Sequence, residues 1–266
     1  MNRRWTIAIT LVGLTVGLAH VATQGPGAPA KPTLYAVANA HLDSQWNWTV
    51  QDTIREFVPA TFFDNFKLFE RFPHYVFNFE GAIHYMWFRE YYPESWPMLQ
   101  KYVSDGRWRL AGSWVNAADV NVPSPESLMR QALYGKRFFR QQFGTASQDV
   151  FLPDCFGFGF ALPSLAAHSG LTAFSTQKLT WGSSVAIPFP IGRWKGVDGS
   201  TVIAALNPRD YVTRIRSDIA VDPKRSDDLT AVGNGRQVGF RYFGVGDVGG
   251  APDAETLRSQ NAELRL

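Results

Sequence analysis

The segment NAHLDSQWNW, residues 39 to 48, puts a histidine and an aspartate two positions apart where an apolar run ends. Side chains two apart on extended backbone share a face, so His41 and Asp43 can offer an imidazole nitrogen and a carboxylate oxygen to one point. Mixed nitrogen and oxygen donors suit zinc, which takes about four ligands in a tetrahedral site. The pair alone is a weak metal signal and reads first as a hydrogen-bonded turn. A third donor shifts the balance. Asp154, in LPDCFGFG, ends another apolar run and precedes a glycine-punctuated loop where backbone can approach a ligand closely. An aspartate in that place often caps the next helix, but Cys-Phe-Gly-Phe-Gly is a poor helix opening. Trp46 and Trp48 read either as core or as the flat apolar face on which a sugar ring stacks.

Such donors need elements to bring them together. Seven short apolar runs fit strands: residues 34–41, 75–79, 108–114, 149–154, 173–177, 200–206 and 238–246. Helix-patterned stretches separate most of them. One spans roughly 52–70 with Phe57, Phe62, Phe66 and Phe69 on its buried side, another runs through IHYMWFREYY, and ALPSLAAHSG makes a short one closed by Gly170. The clearest begins at Ser124, a capping residue followed by Pro125 and Glu126, and turns Leu128, Ala132, Gly135 and Phe139 to one face. Repeated strand-helix order predicts an α/β fold with a parallel sheet, open or closed as a barrel. Loops at the carboxyl ends of parallel strands converge on one crevice. His41, Asp43, Glu80, Asn116, Asp119, Asp154, Gln177, Lys178 and Asp247 all fall on that rim.

NAHLDSQWNW, GSWVNAADVNVPSPESLMRQALYGKRFF, FLPDCFGFGFALPSLAAHSGL and FSTQKLTW, in this order and spacing, resemble the amino-terminal catalytic domain of the family 38 glycoside hydrolases, the class II α-mannosidases. The likeness runs from about residue 34 to 250. It implies a seven-stranded parallel β/α barrel and a retaining, zinc-dependent hydrolase acting on terminal α-mannosides. Carried over by position, it implies His41, Asp43 and Asp154 as zinc ligands, Asp154 also as nucleophile, and Trp46 as the stacking residue. FGVGDVGGAPD resembles the family's GDGGGGP stretch and implies Asp247 as acid/base, although a glycine-rich turn whose aspartate bonds backbone amides reads the same. The competing readings are a non-catalytic or degenerate carbohydrate-binding module and a metal-dependent polysaccharide deacetylase. The deacetylase reading expects a later histidine pair, and no His-x-x-x-His occurs.

Two departures stand out. WVNAADVN carries Asn116 where many family members have glutamate, and the family's fourth zinc ligand is a histidine beyond the last residue here. His74, His84 and His168 sit on the wrong rim or in helices and read as structural. The expectation is therefore a fragment of a longer enzyme, with an incomplete barrel and ligand set, negligible activity by itself and carboxyl-terminal domains elsewhere in the same chain.

MNRR followed by a short apolar run reads as an export signal over residues 1–22, with a Gly/Pro/Ala-rich tether at 23–32 and the catalytic α/β domain over 33–266. That predicts a periplasmic or secreted protein with no membrane contact beyond the signal. Net charge is +3, of which Arg3 and Arg4 supply two, so nothing in the charge balance favours nucleic acid. The basic cluster at 135–140 reads as a solvated helix face. The single cysteine, Cys155, cannot form an internal disulfide, so the domain depends on its core. Aromatic residues, 14% of the chain, supply material for that core and for concave sites.

Overall fold

The structure, a computed structural model, describes residues 31–180, 187, 189–206, 209–216, 219, 222, 225–232 and 235–261. The expected export signal, all but the end of the tether, Trp181 and the last five residues lie outside these. Among the described residues no helix is long and apolar enough to cross a membrane.

Among the described residues nine strands form, in chain order β1 (Thr33–Ala40), β2 (Phe77–Phe79), β3 (Trp108–Leu110), β4 (Asp149–Phe151), β5 (Ala173–Ser175), β6 (Ile191–Lys195), β7 (Thr201–Ala205), β8 (Leu229–Val232) and β9 (Arg236–Val245). All seven expected strands are among them, and β6 and β8 are additions. The strands divide into a five-stranded sheet, β3-β2-β1-β9-β8, and a four-stranded sheet, β4-β5-β7-β6. Every pairing is parallel except β6 with β7 and β8 with β9. The fold is thus mixed α/β with parallel sheets, and among the described residues the strands of the expected seven-stranded β/α barrel lie in two hydrogen-bonded sheets without a closed ring.

The reason is edge occupancy. A strand edge carries one row of backbone donors and acceptors. β6 takes the free edge of β7 along its whole length, and β8 takes that of β9 at residues 236–239. Where β3 meets β4 there is no ladder. Instead Ser113 N–H bonds the Asp149 carbonyl at 3.0 Å, and Gly112 N–H reaches the Asp149 carboxylate at 3.2 Å.

The helices are α1 (Val50–Asp52), α2 (Val58–Arg71), α3 (Ala82–Tyr91), α4 (Trp96–Ser104), α5 (Pro125–Phe143), α6 (Leu162–His168) and α7 (Ala254–Asn261). The helix expected over 52–70 is split by a π-helical segment, Thr53–Phe57, and its Phe62, Phe66 and Phe69 are buried while Phe57 is half-buried. α5 starts as expected, with Ser124 Oγ accepting from Ser127 N–H, and ends on Gly144 in the left-handed conformation. Lys136 departs from the expected solvated face. It is buried, its Nζ donating to the carbonyls of Ser169 (2.6 Å) and Gly170 (3.2 Å) at the end of α6. Carbonyls there lack helical partners, and an ammonium satisfies them.

The larger core packs α2 to α5 on the five-stranded sheet. Phe62 lies stacked between Phe88 (ring centroids 4.0 Å apart) and Trp108 (4.9 Å). The second core, under the four-stranded sheet, is built mainly from aliphatic side chains such as Val150, Leu152, Leu162 and Leu171. Between the sheets a small third cluster joins Phe151 of β4, Tyr242 of β9 and Tyr211. Tyr242 Oη also bonds Ser175 Oγ of β5, spanning the two sheets.

Candidate active site and metal centre

β1 runs parallel to both β2 and β9, so its carboxyl end is held from two sides and delivers His41 in a fixed place. His41 N–H bonds the Val245 carbonyl at 2.9 Å, and the His41 carbonyl accepts from Gly249 N–H at 2.9 Å. The imidazole is buried. Its Nδ1 meets Glu80 Oε1, just past β2, at 2.7 Å, which leaves Nε2 facing Asp43 Oδ1 at 3.3 Å and Asp154 Oδ2 at 3.7 Å. Ligand atoms of His41, Asp43 and Asp154 lie within 4.8 Å of one another. The structure therefore brings together the three donors that the sequence singled out, and from both sheets: His41 and Asp43 follow β1, Asp154 follows β4.

One imidazole nitrogen and two carboxylates around a common point suit a divalent cation such as zinc. The donors also differ in exposure. His41 lies at the base, and the side chains of Asp43 and Asp154 remain 28% and 19% exposed, open towards the rim. Without a cation, burial draws the His41 imidazole down, but its hydrogen bonds to Asp43 and Glu80 outweigh burial and raise its pKa to about 10.

Lys178, just past β5, sets its ammonium 2.5 Å from Asp154 Oδ1 and 5.0 Å from the centre of the Phe156 ring. Asp154 thus turns one oxygen to a cationic side chain and the other towards His41. Cys155 beside it is buried, with its Sγ donating to the Ala118 carbonyl. Burial first, and then the charges of Glu80 and Asp154, push the thiol up to about 12, which favours the protonated form.

Asp247 reaches the same rim from β9. Its carbonyl accepts from Asp43 N–H at 2.8 Å, and its Oδ1 accepts from Tyr211 Oη at 3.0 Å. Asp247 has φ +60°, inside a tight turn in which Val248 N–H bonds the Gly246 carbonyl at 2.6 Å. Aspartate tolerates this left-handed backbone at a cost of about 1 kcal/mol. Gly246 is required: a β-carbon there would lie 2.2 Å from the Tyr211 ring. That ring also meets the His41 imidazole edge-on, with centroids 5.8 Å apart. Burial, followed by the charges of Asp154 and Asp247, holds the Tyr211 phenol well above its usual range, so it stays a neutral donor.

Trp46 is 61% exposed on the rim, whereas Trp48 packs on Phe57 and donates its Nε1–H to Thr53 Oγ1 at 2.9 Å. The two tryptophans thus differ in exposure and packing. Asn116 Oδ1 accepts from Ser44 Oγ (3.2 Å), beside Asp43, and Asp119 Oδ1 accepts from the amides of Asn121 and Val122 in its own turn. His74 is exposed near the amino-terminal end of β1, and His168 pairs with Asp198 on the surface. His84 is buried beside Ser44 and Glu80.

Sequence reasoning placed Glu80 and Lys178 on the rim without giving either a partner. It missed Tyr211, which lies in no strand or helix and has no spacing relation to the other residues.

Residues 31–260 match the model of the glycosyl hydrolases family 38 N-terminal domain. The chain belongs to this family. The family-38 chain is similar to an alpha-mannosidase of Saccharomyces cerevisiae, 33% identical over 229 residues that make up 85% of this chain and 21% of that protein. It is likewise similar to alpha-mannosidase 2C1 of Homo sapiens, 31% identical over 87% of this chain and 22% of that protein. The chain therefore spans about a fifth of the length of these curated relatives. In fold it is similar to an alpha-mannosidase from Enterococcus faecalis V583, with a TM-score of 0.69 at 19% identity, covering 88% of this chain and 27% of that one.

Proposed function

We propose that this family-38 chain is the amino-terminal catalytic part of a retaining, zinc-dependent α-mannosidase that removes terminal α-mannosyl residues from glycans. The convergence of His41, Asp43 and Asp154 donors within 4.8 Å, with Asp247 tied to the Asp43 amide beside them, carries this reading. In it the two sheets form the halves of a β/α barrel open at its seams. Residues 1–22 act as an export signal and 23–32 as a tether, so the enzyme works outside the cytoplasm.

Retention needs two carboxyl groups about 5 Å apart, one attacking and one exchanging a proton. Asp154 attacks the anomeric carbon as the bond to the leaving oxygen breaks, and protonated Asp247 gives that oxygen its proton. Asp247, now a carboxylate, takes a proton from water, whose oxygen displaces Asp154 and frees mannose with its configuration kept. Tyr211 holds the Asp247 carboxyl from the side, and Trp46 offers its exposed face to the sugar's C–H surface. His41, Asp43 and Asp154 hold the zinc, which when bound supplies electrostatic grip on sugar hydroxyls and keeps the attacking carboxylate ionised.

The test is turnover of an aryl α-mannoside by the protein made from the full open reading frame, with and without chelator. Activity should fall on chelation and return with zinc, and Asp154→Asn should lower it on the order of 10⁴-fold, the scale seen when a nucleophilic machinery loses one member. Full activity in Asp154→Asn would sink the nucleophile assignment. Full activity after exhaustive chelation would sink the metal assignment.

A further inference from the structure

Glu80 lies outside the donor set, yet it is almost fully buried, at 1% exposure, and aims its carboxylate at the centre from the first sheet. A buried carboxylate is costly unless paired, so its position calls for a partner that repays the burial. That partner is His41 Nδ1, at 2.7 Å. β2 runs parallel to β1 with Phe79 beside Ala40, so Glu80 follows its strand end at the same level as His41. His84, one turn into α3, closes over the pair, with its Nδ1 3.4 Å from the Glu80 carbonyl and its Nε2 3.3 Å from Ser44 Oγ. Gly81 between them is held at φ +80°, and a β-carbon there would lie 2.7 Å from His84 Nδ1, so this small space admits no further side chain.

We infer that Glu80 is a positioning residue for the metal. Its carboxylate accepts the Nδ1 proton of His41, fixes the tautomer that leaves Nε2 free to coordinate, locks the ring's rotation and makes Nε2 a better donor. An imidazole has two nitrogens, and whichever holds the proton cannot bind a cation. A carboxylate on the far nitrogen settles that choice, and removing such a partner typically weakens metal affinity about 10- to 100-fold. Asp43 and Asp154 cannot do this, because both approach Nε2. This assignment rests on the proposed metal site.

The experiment needs no substrate. Zinc affinity of the purified protein made from the full open reading frame is measured by competition with a chromophoric chelator, for the unaltered protein and for Glu80→Gln and Glu80→Ala, with thermal melting of each metal-free protein alongside. Glu80→Gln, which can still accept the Nδ1 proton but carries no charge, should bind zinc about 10-fold more weakly. Glu80→Ala should bind about 100-fold more weakly. Equal or tighter binding by a folded Glu80→Gln protein would show that the carboxylate merely balances charge on the imidazole, and overturns the inference.

Should the variants not fold, ¹⁵N spectra of the histidine rings in the unaltered protein decide instead, with a His41→Asn protein to assign the signals. On zinc saturation the His41 Nε2 signal should move while Nδ1 keeps its proton. Coordination through Nδ1 overturns the inference and leaves the metal site standing. Absence of zinc uptake by the unaltered protein overturns both.

Discussion

The two sheets solve the same problem with different materials. Under the five-stranded sheet, rings do the packing: Phe62, Phe66, Phe77, Phe79, Phe88 and Trp108 are buried in one continuous cluster. Under the four-stranded sheet the buried side chains are mostly aliphatic, and Phe174 and Trp114 are the aromatic members of its fully buried set. Aromatic rings bury more area each and add ring-ring terms of about 0.5–1.5 kcal/mol per pair. His41, Asp43, Glu80 and Asp247 stand on the aromatic half, Asp154 and Lys178 on the aliphatic half. The difference teaches that one half fixes the imidazole end of the site, and that the place of the Asp154 carboxylate depends on how the second half is held against it.

The largest effect should come from Phe62→Ala, which empties a fully buried place between two stacked rings and should cost about 4 kcal/mol. Chemical denaturation monitored by tryptophan fluorescence measures it. Leu152→Ala, the counterpart under the other sheet, should cost about 3 kcal/mol. Were Leu152→Ala the costlier of the two, the contrast between the cores would be lost. Tyr242→Phe removes the hydroxyl that bonds Ser175 across the sheets and should cost about 1 kcal/mol. A loss shared equally by zinc affinity and folding stability would show that this link also sets the distance between His41 and Asp154.

Asp149, at the other seam, gives the smallest effect and a pH dependence. Burial pushes its carboxyl up to about 6, against the pull of the Gly112 amide. The folded chain then holds a proton that the unfolded chain releases near pH 4, so this group's contribution to stability declines as pH rises from about 4 to 6. Asp149→Asn should flatten that slope in thermal melts at pH 4.5 and 7. An unchanged slope would show that the seam does not desolvate the carboxyl.

Local patterns carried much of this. Apolar runs bounded by turn residues marked all seven parallel strands, and Ser124-Pro125 marked the start of α5, because these features depend on neighbours in sequence. Three donors of the candidate centre were legible for a similar reason: each lies within three residues of a strand end, and parallel strands deliver such residues to one rim. The course of the basic cluster was not, since Lys136 is drawn inward by carbonyls more than thirty positions away. Closure was not legible for a comparable reason. Nothing in the period of β7 or β9 says that a hairpin partner will occupy its free edge.

The sequence by itself determined the elements, the rim and the His41, Asp43, Asp154 set, since strand period and strand-end position are short-range properties. Tertiary structure alone decided that Glu80 takes Nδ1 of His41, that Lys178 takes one oxygen of Asp154, and that Tyr211 supports Asp247. Those meetings join residues 24 to 39 positions apart through strand register and the path of an irregular segment. No local preference encodes such a path, because it is fixed only when the sheets and their cores have packed.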